Sequence, residues 1–415
     1  MSTVSALATT ANVNVGAFRT AIKNVTTAIP TGAVRDMQRL ISIESNGDNT
    51  ATVAHCSYTL YAAVTLPAKT TSKGHVELEG RKFNKTLTAA LAGNSKAINN
   101  SDLDLTIEEN GLQFTFDGVQ INVSSPDDET PDHFVSQRER VESVVGDATT
   151  LATVKAEDLI AMYGKVSHAV SDDDTLTMIT GINMSVDKNN LVFAATDRFR
   201  LSKLNVEADI AAVADEFDGF LIPGSAVKTL AALLPNDDSN VRISFANKEY
   251  LLFETDNVVL ATRLLDAVFP ATNHLIQDGF NQIVEFDRAA LKKAVSKLNK
   301  LCGNVNRQTI TVKSTLDGTT LTVDMEGDDK ATVDMESTVE VYSADYSEML
   351  LALNGKFLAD AINAYDCDTV KMAIMQPGRP IQLLQGAITA EEGDTCLVLS
   401  KRDHVELLMP VRLAE

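Results

Sequence analysis

Residue patterns that could do chemistry are few in this sequence, and the first is a serine–lysine pair. Ser225-Ala226-Val227-Lys228 matches the S-x-x-K pattern of penicillin-binding enzymes, where a serine nucleophile lies one helical turn from a lysine. The S-D-N and K-T-G motifs that accompany this pattern in those enzymes are absent from the sequence. The four residues also lie in a helical segment that has counterparts elsewhere in the chain, so we interpret them as structural.

Clusters of carboxylates are the second such pattern, at Asp172-Asp173-Asp174, Asp127-Asp128-Glu129 and Asp328-Asp329. Paired carboxylates can bind magnesium or exchange protons with a substrate. These runs lie between predicted elements, however, where acidic residues usually form solvated loops. The sequence has no GxxxxGK[ST], HExxH or GxSxG motif and no glycine-rich dinucleotide loop. We therefore predict that the protein is not an enzyme and has no catalytic residue, metal site or cofactor; an acidic hydrolase would need metal ligands that we do not find.

The composition is that of an ordinary globular protein. The chain has 415 residues, 44% hydrophobic and 22% charged, which suggests two to four domains. No apolar stretch is long enough to span a membrane, and the first residues lack the basic region of a signal peptide. Cys56, Cys302, Cys367 and Cys396 lie far apart without a CxxC pair, which favours reduced thiols. We predict a cytoplasmic location and no membrane association.

A coarse unit occurs three times along the chain, at a period of about 130–145 residues. Each unit begins with a predicted amphipathic helix, because apolar residues recur at the i, i+4, i+7 spacing of one helix face. The three apolar faces are Phe18, Ile22, Val25 and Ile29; Leu159, Tyr163, Val166 and Val170; and Leu291, Val295, Leu298 and Leu301.

A second short helix follows in each unit, between an apolar strand and an alternating hairpin. These helices begin at Arg81, Gly224 and Asn354, and the hairpins occupy residues 103–116, 241–255 and 370–384. We predict an α+β fold with three similar domains at residues 1–148, 149–280 and 281–415, each with two helices packed on antiparallel sheets. Three such domains stack into an arc, and two arcs would close a ring by twofold symmetry.

Charge is distributed unevenly between the predicted helices and the rest of the chain. The net charge of −21 argues against binding to nucleic acid if charge is spread evenly. The six predicted helices (16–29, 81–92, 155–169, 223–234, 287–301 and 354–365) contain fourteen basic and four acidic side chains, hence +10, which leaves −31 elsewhere. Lysine is a good helix former, but propensity alone predicts glutamate in similar numbers, and these helices contain only Glu157.

Basic helices on one side of acidic sheets would attract a phosphate backbone without reading base sequence. No aromatic-rich basic strand is present, which argues against a single-strand binder of the RRM or OB type. The side chains that we predict to contact duplex DNA are Arg19, Lys23, Arg81, Lys82, Lys85, Lys165, Lys292, Lys293 and Lys297.

Three short motifs resemble those of the bacterial DNA sliding clamps, the DNA polymerase III beta subunit family. ATDRFRL at residues 195–201 is similar to the family's A-T-D-G-H-R-L, and RLLDAVFP at residues 263–270 to R-L-(I/V)-D-G-x-F-P. MPVRL at residues 409–413 is similar to M-P-M-R-L. The resemblance covers nearly the whole chain and is strongest from about residue 150 to 280 and at the C-terminus. It implies three clamp domains that dimerise into a closed ring.

The sequence also departs from the family pattern. Arg198-Phe199 replaces Gly-His, Ala271-Thr272 replaces the D-Y after F-P, and Ala414-Glu415 follows the usual terminal leucine. Such divergence suits a bacteriophage or a distant bacterial lineage. Phenylalanine in place of histidine makes the implied pocket more apolar.

In the family, a peptide of the polymerase or of the clamp loader docks in an apolar pocket between the second and third domains. A flexible methionine and flanking arginines suit a peptide with hydrophobic anchors and an acidic or polar flank. The resemblance implies a pocket formed by Ile179, Thr196, Arg198, Phe199, Arg200, Leu201, Pro270, Leu275, Leu407, Met409, Pro410, Val411 and Arg412. Any one of Leu201, Leu275 and Leu407 can equally be a core residue.

The function that the resemblance implies is that of a DNA polymerase processivity factor. A ring around duplex DNA would slide because its contacts are independent of sequence, and it would tether the polymerase at the primer end. The expected partners are double-stranded DNA, DNA polymerase, a clamp loader that hydrolyses the ATP, and a second copy of the chain. The alternative is an interaction scaffold with the clamp fold that does not encircle DNA.

Overall fold

Six helices form where the apolar periodicity predicts them in the computed structural model of the chain. The structure describes residues 9–412 except for 33–35, 94, 109, 127–147, 213–218, 248, 303–308, 326–328, 343, 386–389, 393–396 and 400–402. The helices are α1 Val15–Thr26, α2 Gly80–Ala90, α3 Ser95–Asn99, α4 Ala156–Val166, α5 Gly224–Leu233, α6 Arg288–Leu301 and α7 Gly355–Asn363. Only the short α3 was not predicted. Short 3-10 turns lie at Asp36–Arg39, Ser167–Ala169, Thr177–Ile179, Asn273–Leu275 and Ala344–Tyr346.

Most of these helices begin at a side chain that caps the backbone. The last residue of the preceding strand accepts a hydrogen bond from an amide of the first turn: Asn14 caps α1, Glu79 caps α2, Asp287 caps α6 and Asn354 caps α7. Such caps satisfy amides that the helix leaves unpaired at its start. The strand-to-helix junctions of the repeated unit are therefore set locally by sequence.

The chain divides into two compact units. The first comprises residues 1–160, 208–218 and 222–265, and the second comprises residues 161–207, 219–221 and 266–415. In the first unit, Phe83 of α2 packs edge-to-face against Phe18 of α1 and Phe114, with ring centroids 6.3 Å apart in both pairs. In the second unit, α6 and α7 bury Leu291, Val295, Leu298, Leu358 and Ile362 in one apolar core, whereas Leu301 at the end of α6 is exposed.

The first unit contains one antiparallel sheet of thirteen strands. Its strands are β1 Thr9–Asn14, β2 Leu40–Asn46, β3 Thr50–Cys56, β4 Leu60–Thr70, β5 Lys73–Glu79, β6 Asp102–Glu108, β7 Gly111–Phe116, β8 Val119–Ser124, β9 Thr149–Lys155, β13 Asp209–Ile210, β15 Asn240–Ala246, β16 Tyr250–Glu254 and β17 Val258–Arg263. The main path is β13-β9-β15-β16-β17-β4-β1-β6-β7-β8, and β5-β2-β3 joins it at β4.

The second unit contains sheets of nine, four and three strands, with β14 at its boundary with the first unit. The nine-stranded order is β14-β10-β11-β12-β29-β26-β25-β19-β23, and the others are β22-β21-β20-β24 and β18-β28-β27. The strands are β10 Gly181–Asp187, β11 Asn190–Thr196, β12 Arg200–Glu207, β14 Phe220–Pro223, β18 Gly279–Phe280, β19 Gln282–Asp287, β20 Thr309–Thr315, β21 Gly318–Asp324, β22 Lys330–Met335, β23 Ser337–Val341, β24 Glu348–Asn354, β25 Thr369–Ile374, β26 Ile381–Gln385, β27 Ala390–Glu392, β28 Leu397–Leu399 and β29 His404–Leu408.

The same strand pairing occurs three times. A four-stranded order appears as β5-β2-β3-β4, β14-β10-β11-β12 and β24-β20-β21-β22, and a five-stranded order as β4-β1-β6-β7-β8, β13-β9-β15-β16-β17 and β23-β19-β25-β26-β29. The three predicted hairpins are β6–β7, β15–β16 and β25–β26. The predicted α+β class with antiparallel sheets is confirmed, while the domain boundaries near residues 148 and 280 stay a prediction.

Two junctions between successive repeats have the same construction. The last strand of the second repeat, β17, pairs with β4 of the first, with Leu260 opposite Ala62. The last strand of the third repeat, β29, pairs with β12 of the second, with Glu406 opposite Ser202. In the first repeat the counterpart of β17 and β29 is β8, and in the third repeat the counterpart of β4 and β12 is β22. Among the described residues β8 pairs only with β7 and β22 only with β21.

Several predicted features lie outside the described residues, namely Asp127-Asp128-Glu129, Asp328, Cys396 and Leu413 to Glu415. Cys302 and Cys367 are free thiols, as predicted.

Glu77 in β5 is a buried carboxyl group, and neither of its oxygens has a hydrogen-bond partner in the described part of the chain. Burial, and secondly the carboxylate of Glu44 in β2, raise the pKa of Glu77 to about 7. The folded state therefore holds a proton on Glu77 at pH values where the unfolded chain, with a pKa near 4.5, has lost it. The stability that this proton contributes is present below about pH 4.5 and is lost as pH rises through about 7.

Replacing this carboxyl group by an amide should therefore stabilise the protein at alkaline pH only. We expect Glu77→Gln to raise the free energy of unfolding by about 1–3 kcal/mol at pH 8 and to change it little at pH 5, because the amide resembles the protonated acid. Urea denaturation at both pH values measures the effect, with Glu108→Gln on the exposed end of β6 as the control. Equal effects at pH 5 and pH 8 would contradict the assignment.

Candidate partner-binding site

The turn between β11 and β12 is held by the side chain of Asp197. Its Oδ1 accepts hydrogen bonds from the amides of Phe199 and Arg200, both at 3.0 Å. Thr196 donates its hydroxyl to the Arg200 carbonyl at 2.7 Å and accepts the Arg198 amide at 3.2 Å. This network places Arg198 in the left-handed region, at φ +78°. Polar residues of the ATDRFRL motif thus fix the backbone and leave Arg198 and Phe199 exposed.

Arg200 ties this turn to α7. Its Nε lies 2.8 Å from Asp197 Oδ2 and its Nη1 lies 2.7 Å from Asp360 Oδ2. The guanidinium also lies 4.2 Å from the ring centroid of Phe357, a cation–π distance. Because the side chain is buried and bonded to two carboxylates, its charge is neutralised locally. Arg200 is therefore a supporting residue of the site.

The tail after β29 runs along the β11–β12 turn and then along β24. The Met409 amide donates to the Phe199 carbonyl at 2.8 Å, and the Val411 amide donates to the Ala352 carbonyl of β24 at 2.7 Å. Pro410 between them has no amide hydrogen, so the tail leaves the sheet without a continuous ladder. Met409 is 39% exposed. The apolar tail thus packs against the β11–β12 turn and β24.

A cleft of about 290 Å³ opens beside this tail. Its lining combines the tail with β24 and the turn after β25, and Arg412 is its one charged residue. The lining residues are Leu350, Leu351, Ala352, Pro377, Gly378, Met409, Pro410, Val411 and Arg412. The size is at the lower limit for a ligand pocket and suits one or two apolar side chains of a peptide.

The predicted site residues fall into groups that differ in exposure. Arg198, Phe199, Met409 and Arg412 are exposed, and Pro270, Leu275, Pro410 and Val411 are half-buried. Ile179, Thr196, Arg200, Leu201 and Leu407 are buried. Leu201 and Leu407 belong to one core cluster, against which Leu275 packs. Of the thirteen, only Met409, Pro410, Val411 and Arg412 line the cleft.

Sequence reasoning missed Phe357 on α7 and Leu350 on β24. The Phe357 ring stacks on Phe199, with centroids 6.4 Å apart and planes 27° apart. Leu350 is an exposed apolar residue in the cleft. An aromatic residue one turn after the cap Asn354 was the available signal for Phe357. Leu350 had none, because it alternates with the buried Met349 and Leu351 as any strand residue does.

A buried polar cluster lies under the same part of the unit, where β12 pairs with β29. Glu406 is fully buried; its carboxylate lies 2.9 Å from His404 Nε2, 3.0 Å from His168 Nε2 and 2.6 Å from the Ser202 hydroxyl. Burial by itself raises the pKa of Glu406, but the hydrogen bonds and charges of His168 and His404 outweigh it and hold the pKa below its ordinary value. The Ser202 hydroxyl is fully buried and is also within 3.0 Å of the Lys165 carbonyl, so it belongs to the hydrogen-bond network of the core.

The predicted DNA-contacting side chains are mostly free of protein partners. Lys23, Arg81, Lys82, Lys85, Lys292, Lys293 and Lys297 are exposed, while Arg19 and Lys165 are half-buried. Arg81 donates to the Ile29 carbonyl at 2.7 Å, and Lys165 lies 3.9 Å from the Asp366 carboxylate. Among the described residues none of the other seven forms an ion pair.

The described residues contain no cluster of three or more histidine, cysteine, aspartate or glutamate side chains that could hold a metal ion. None of the described helices is both long and apolar enough to cross a membrane.

Comparison with known proteins identifies similar sequences and similar folds. The family described as DNA polymerase III beta subunit, central domain, matches residues 153–271. The beta sliding clamp of Streptococcus pneumoniae serotype 4 is 24% identical over 309 residues, which is 74% of each chain. The DNA polymerase III beta subunit of Thermotoga maritima is 17% identical, with a TM-score of 0.79, over 98% of this chain and 100% of that one. The DNA polymerase sliding clamp of Bacillus subtilis is 16% identical, with a TM-score of 0.78 over the same shares.

The match to the central domain includes the ATDRFRL turn, and the shared fold extends over the remainder of the chain. Low identity agrees with the departures at Arg198 and Phe199. Residues 153–271 therefore belong to the DNA polymerase III beta subunit family, and the chain as a whole has the fold of the beta sliding clamps, from which its sequence diverges.

Proposed function

We propose that this chain is a DNA polymerase processivity factor that works as a ring around duplex DNA. Two copies, each with three clamp domains at residues 1–148, 149–280 and 281–415, form the ring and slide because their DNA contacts are independent of sequence. The ring tethers the polymerase at the primer end and raises its local concentration. It works in the cytoplasm without a chemical step or cofactor of its own, and a clamp loader supplies the ATP hydrolysis.

The observation that carries this proposal concerns β8 of the first repeat and β22 of the third, whose counterparts in the other repeats have a second neighbouring strand. β17 pairs with β4, and β29 pairs with β12, by the same construction. The corresponding strands β8 and β22 each have one neighbour among the described residues. A third junction of the same kind needs a second copy, with β8 of one chain against β22 of the other. Two such junctions close a head-to-tail dimer and cover both otherwise adhesive edges.

Exposed cations on the helices support the DNA contact. Lys82 and Lys85 on α2 and Lys293 and Lys297 on α6 are exposed, although the chain as a whole carries −21. A segregated basic surface binds phosphates by releasing counterions and discriminates little between sequences. The acidic remainder of the protein discourages binding of DNA elsewhere.

The partner site in this proposal is the exposed surface beside the C-terminal tail. Arg198, Phe199, Met409, Pro410, Val411 and Arg412 would contact the peptide, with Pro270 and Leu275 at its margin. The buried Ile179, Thr196, Arg200, Leu201 and Leu407 would hold these contacts in position. Few anchoring side chains on a pre-formed apolar surface are what a short peptide needs for affinity.

A ring can be tested by its mass and by its topological link to DNA. Light scattering during size exclusion should give twice the chain mass of 44.7 kDa at micromolar concentration. A cysteine at Asn122 in β8, combined in turn with one at Thr332, Val333 or Asp334 in β22, should form a disulfide between chains. The double-cysteine variant that cross-links most completely is then oxidised in the presence of plasmid DNA. The cross-linked dimer should remain on circular DNA in high salt and leave it after the DNA is linearised.

A monomer whose mass does not change with concentration would contradict the dimer. A cross-linked dimer that never remains on circular DNA would favour the alternative, a clamp-fold scaffold that does not encircle DNA. The reduced protein, which can reopen, is the control for the disulfide.

Reversing four helix charges should weaken DNA capture. We expect changes of Lys82, Lys85, Lys293 and Lys297 to glutamate to lower the yield of DNA-linked rings about tenfold and to make that yield less sensitive to salt. The control reverses four exposed lysines on strands and turns, Lys69, Lys73, Lys188 and Lys313. Equal yields for the two variants would contradict a role of the helix lysines in DNA contact, but they would not contradict the proposed ring.

A further inference from the structure

Arg198 occupies a backbone conformation that favours glycine. Its φ of +78° places it in the left-handed region, which costs an L-residue with a side chain roughly 1 kcal/mol. The corresponding position of the clamp motif that this turn resembles is glycine. The side chain of Arg198 adds this cost to a turn that Asp197 and Thr196 already hold, so what it contributes must be sought in its surroundings.

The charge of Arg198 is incompletely neutralised within the protein. Its side chain is 59% exposed, and its guanidinium lies 3.8 Å from Asp173 Oδ2, a loose ion pair in water. The other oxygen of Asp173 is already bonded to the amide and hydroxyl of Thr175. Arg200, two residues along, differs because it is buried between two carboxylates. Arg198 therefore keeps donors available for a ligand.

Aromatic surface lies directly beside this cation. The Arg198 guanidinium is 5.8 Å from the centroid of the Phe199 ring, which is 54% exposed and is stacked on Phe357. The Phe199 carbonyl accepts the amide of Met409, whose side chain lines the cleft. A ligand that places an apolar anchor on these rings and in the cleft therefore brings its next residues close to Arg198.

The charges nearby favour a peptide over a nucleic acid strand. Single-stranded DNA also stacks on aromatic rings next to arginine. Asp173 lies 3.8 Å from Arg198 and is flanked in the chain by Asp172 and Asp174. Asp360 and Phe357 both contact the Arg200 guanidinium. A phosphate at every nucleotide would meet these carboxylates, whereas one carboxylate on a peptide meets one available guanidinium.

We propose that Arg198 makes this site select partner peptides in which an aspartate or glutamate stands next to an aromatic or large apolar anchor. This specificity rests on the proposed function, because it concerns the same partner site. The carboxylate replaces Asp173 as the closer partner of the guanidinium. The anchor covers Phe199 and enters the cleft beside Met409.

Selection of random peptides tests the proposal without knowledge of the natural partner. Displayed random decapeptides are selected on the wild-type protein, on Arg198→Gly and on Lys188→Gly. Lys188 is a matched control in the same unit, an exposed cation with a φ of +57° in the turn after β10. Each glycine variant relieves the same backbone strain and loses one positive charge.

We expect the wild type and Lys188→Gly to enrich peptides with an acidic residue within two positions of an apolar anchor. Arg198→Gly should enrich the anchor without the acid. Titration of the best wild-type peptide against its Glu→Gln or Asp→Asn form should show a preference of about 5- to 20-fold for the acid. That preference should fall below twofold in Arg198→Gly and shrink in high salt.

The outcomes separate this inference from the function that it rests on. Enrichment of anchored peptides without an acidic preference on the wild type would overturn the role of Arg198 and leave the partner site intact. Absence of any enriched peptide on the wild type would overturn the partner site itself. Binding of oligo(dT) that is lost in Arg198→Gly but kept in Lys188→Gly would assign the surface to nucleic acid.

Discussion

Removing the residues after Leu408 should leave a folded dimer that no longer binds its polymerase peptide. β29 ends at Leu408, so the nine-stranded sheet keeps all of its strands. The deletion removes Met409, Pro410, Val411 and Arg412, which form nearly half of the cleft lining, and the bond from Val411 to Ala352. We expect peptide affinity to fall at least about 100-fold, because the central anchors of an interface carry most of its energy.

A titration with labelled peptide and a measurement of dimer mass decide this prediction together. The control is truncation after Arg412, which keeps every residue that lines the cleft. Met409→Ala alone should weaken binding by about 1–2 kcal/mol, the effect of a moderate hot spot. Retained affinity in a folded truncated protein would show that partners dock elsewhere.

Glu406→Ala should be the most destabilising single substitution in the second unit. The carboxylate is fully buried and is the common partner of His168, His404 and Ser202. Without it, buried hydrogen-bonding groups lose their partner and a cavity forms where β12 pairs with β29. Loss of one member of a buried charged network costs about 3–5 kcal/mol.

Chemical denaturation at pH 7 tests this prediction. The control is Glu348→Ala, because its exposed ion pair with Lys313 should contribute no more than about 1 kcal/mol. The pKa of Glu406 is lowered by folding, so its contribution is present above the unfolded pKa of 4.5 and is lost as pH falls through the lower folded value. The destabilisation caused by Glu406→Ala should therefore shrink as the protein is acidified towards and below pH 4. A constant effect across that range would contradict the proposed charge state.

Local signals in the sequence were enough to predict the helices and hairpins of the repeat. The apolar spacing of Phe18, Ile22 and Val25 gives α1, and all three of these side chains are buried. Capping residues such as Asn14 and Asp287 fix the helix starts. The predicted end of α6 at Leu301 is correct, but the periodicity wrongly placed Leu301 on the buried face, since a helix end has fewer neighbours to cover it.

Contacts between distant segments could not be predicted in the same way. His168 and Glu406 are 238 residues apart, and neither has a neighbour in sequence that signals the other. The junction of β17 with β4 depends on which edges remain free once each repeat has folded. At the candidate site, the motif resemblance identified Arg198, Phe199 and Met409, but it did not separate them from buried supports such as Leu201 and Arg200.

The position of β29 in the middle of its sheet also matters while the protein is being made. β12 pairs with β29 through residues 200–204 and 404–408. The edge of β12 therefore has no partner strand until about 200 further residues have been synthesised. At roughly 5–20 residues per second, the ribosome needs about 10–40 s to supply them. During that time β12 is an open edge, able to pair with β12 of a neighbouring nascent chain. Slow or interrupted translation after residue 204 should therefore cause more aggregation than interruption after residue 408.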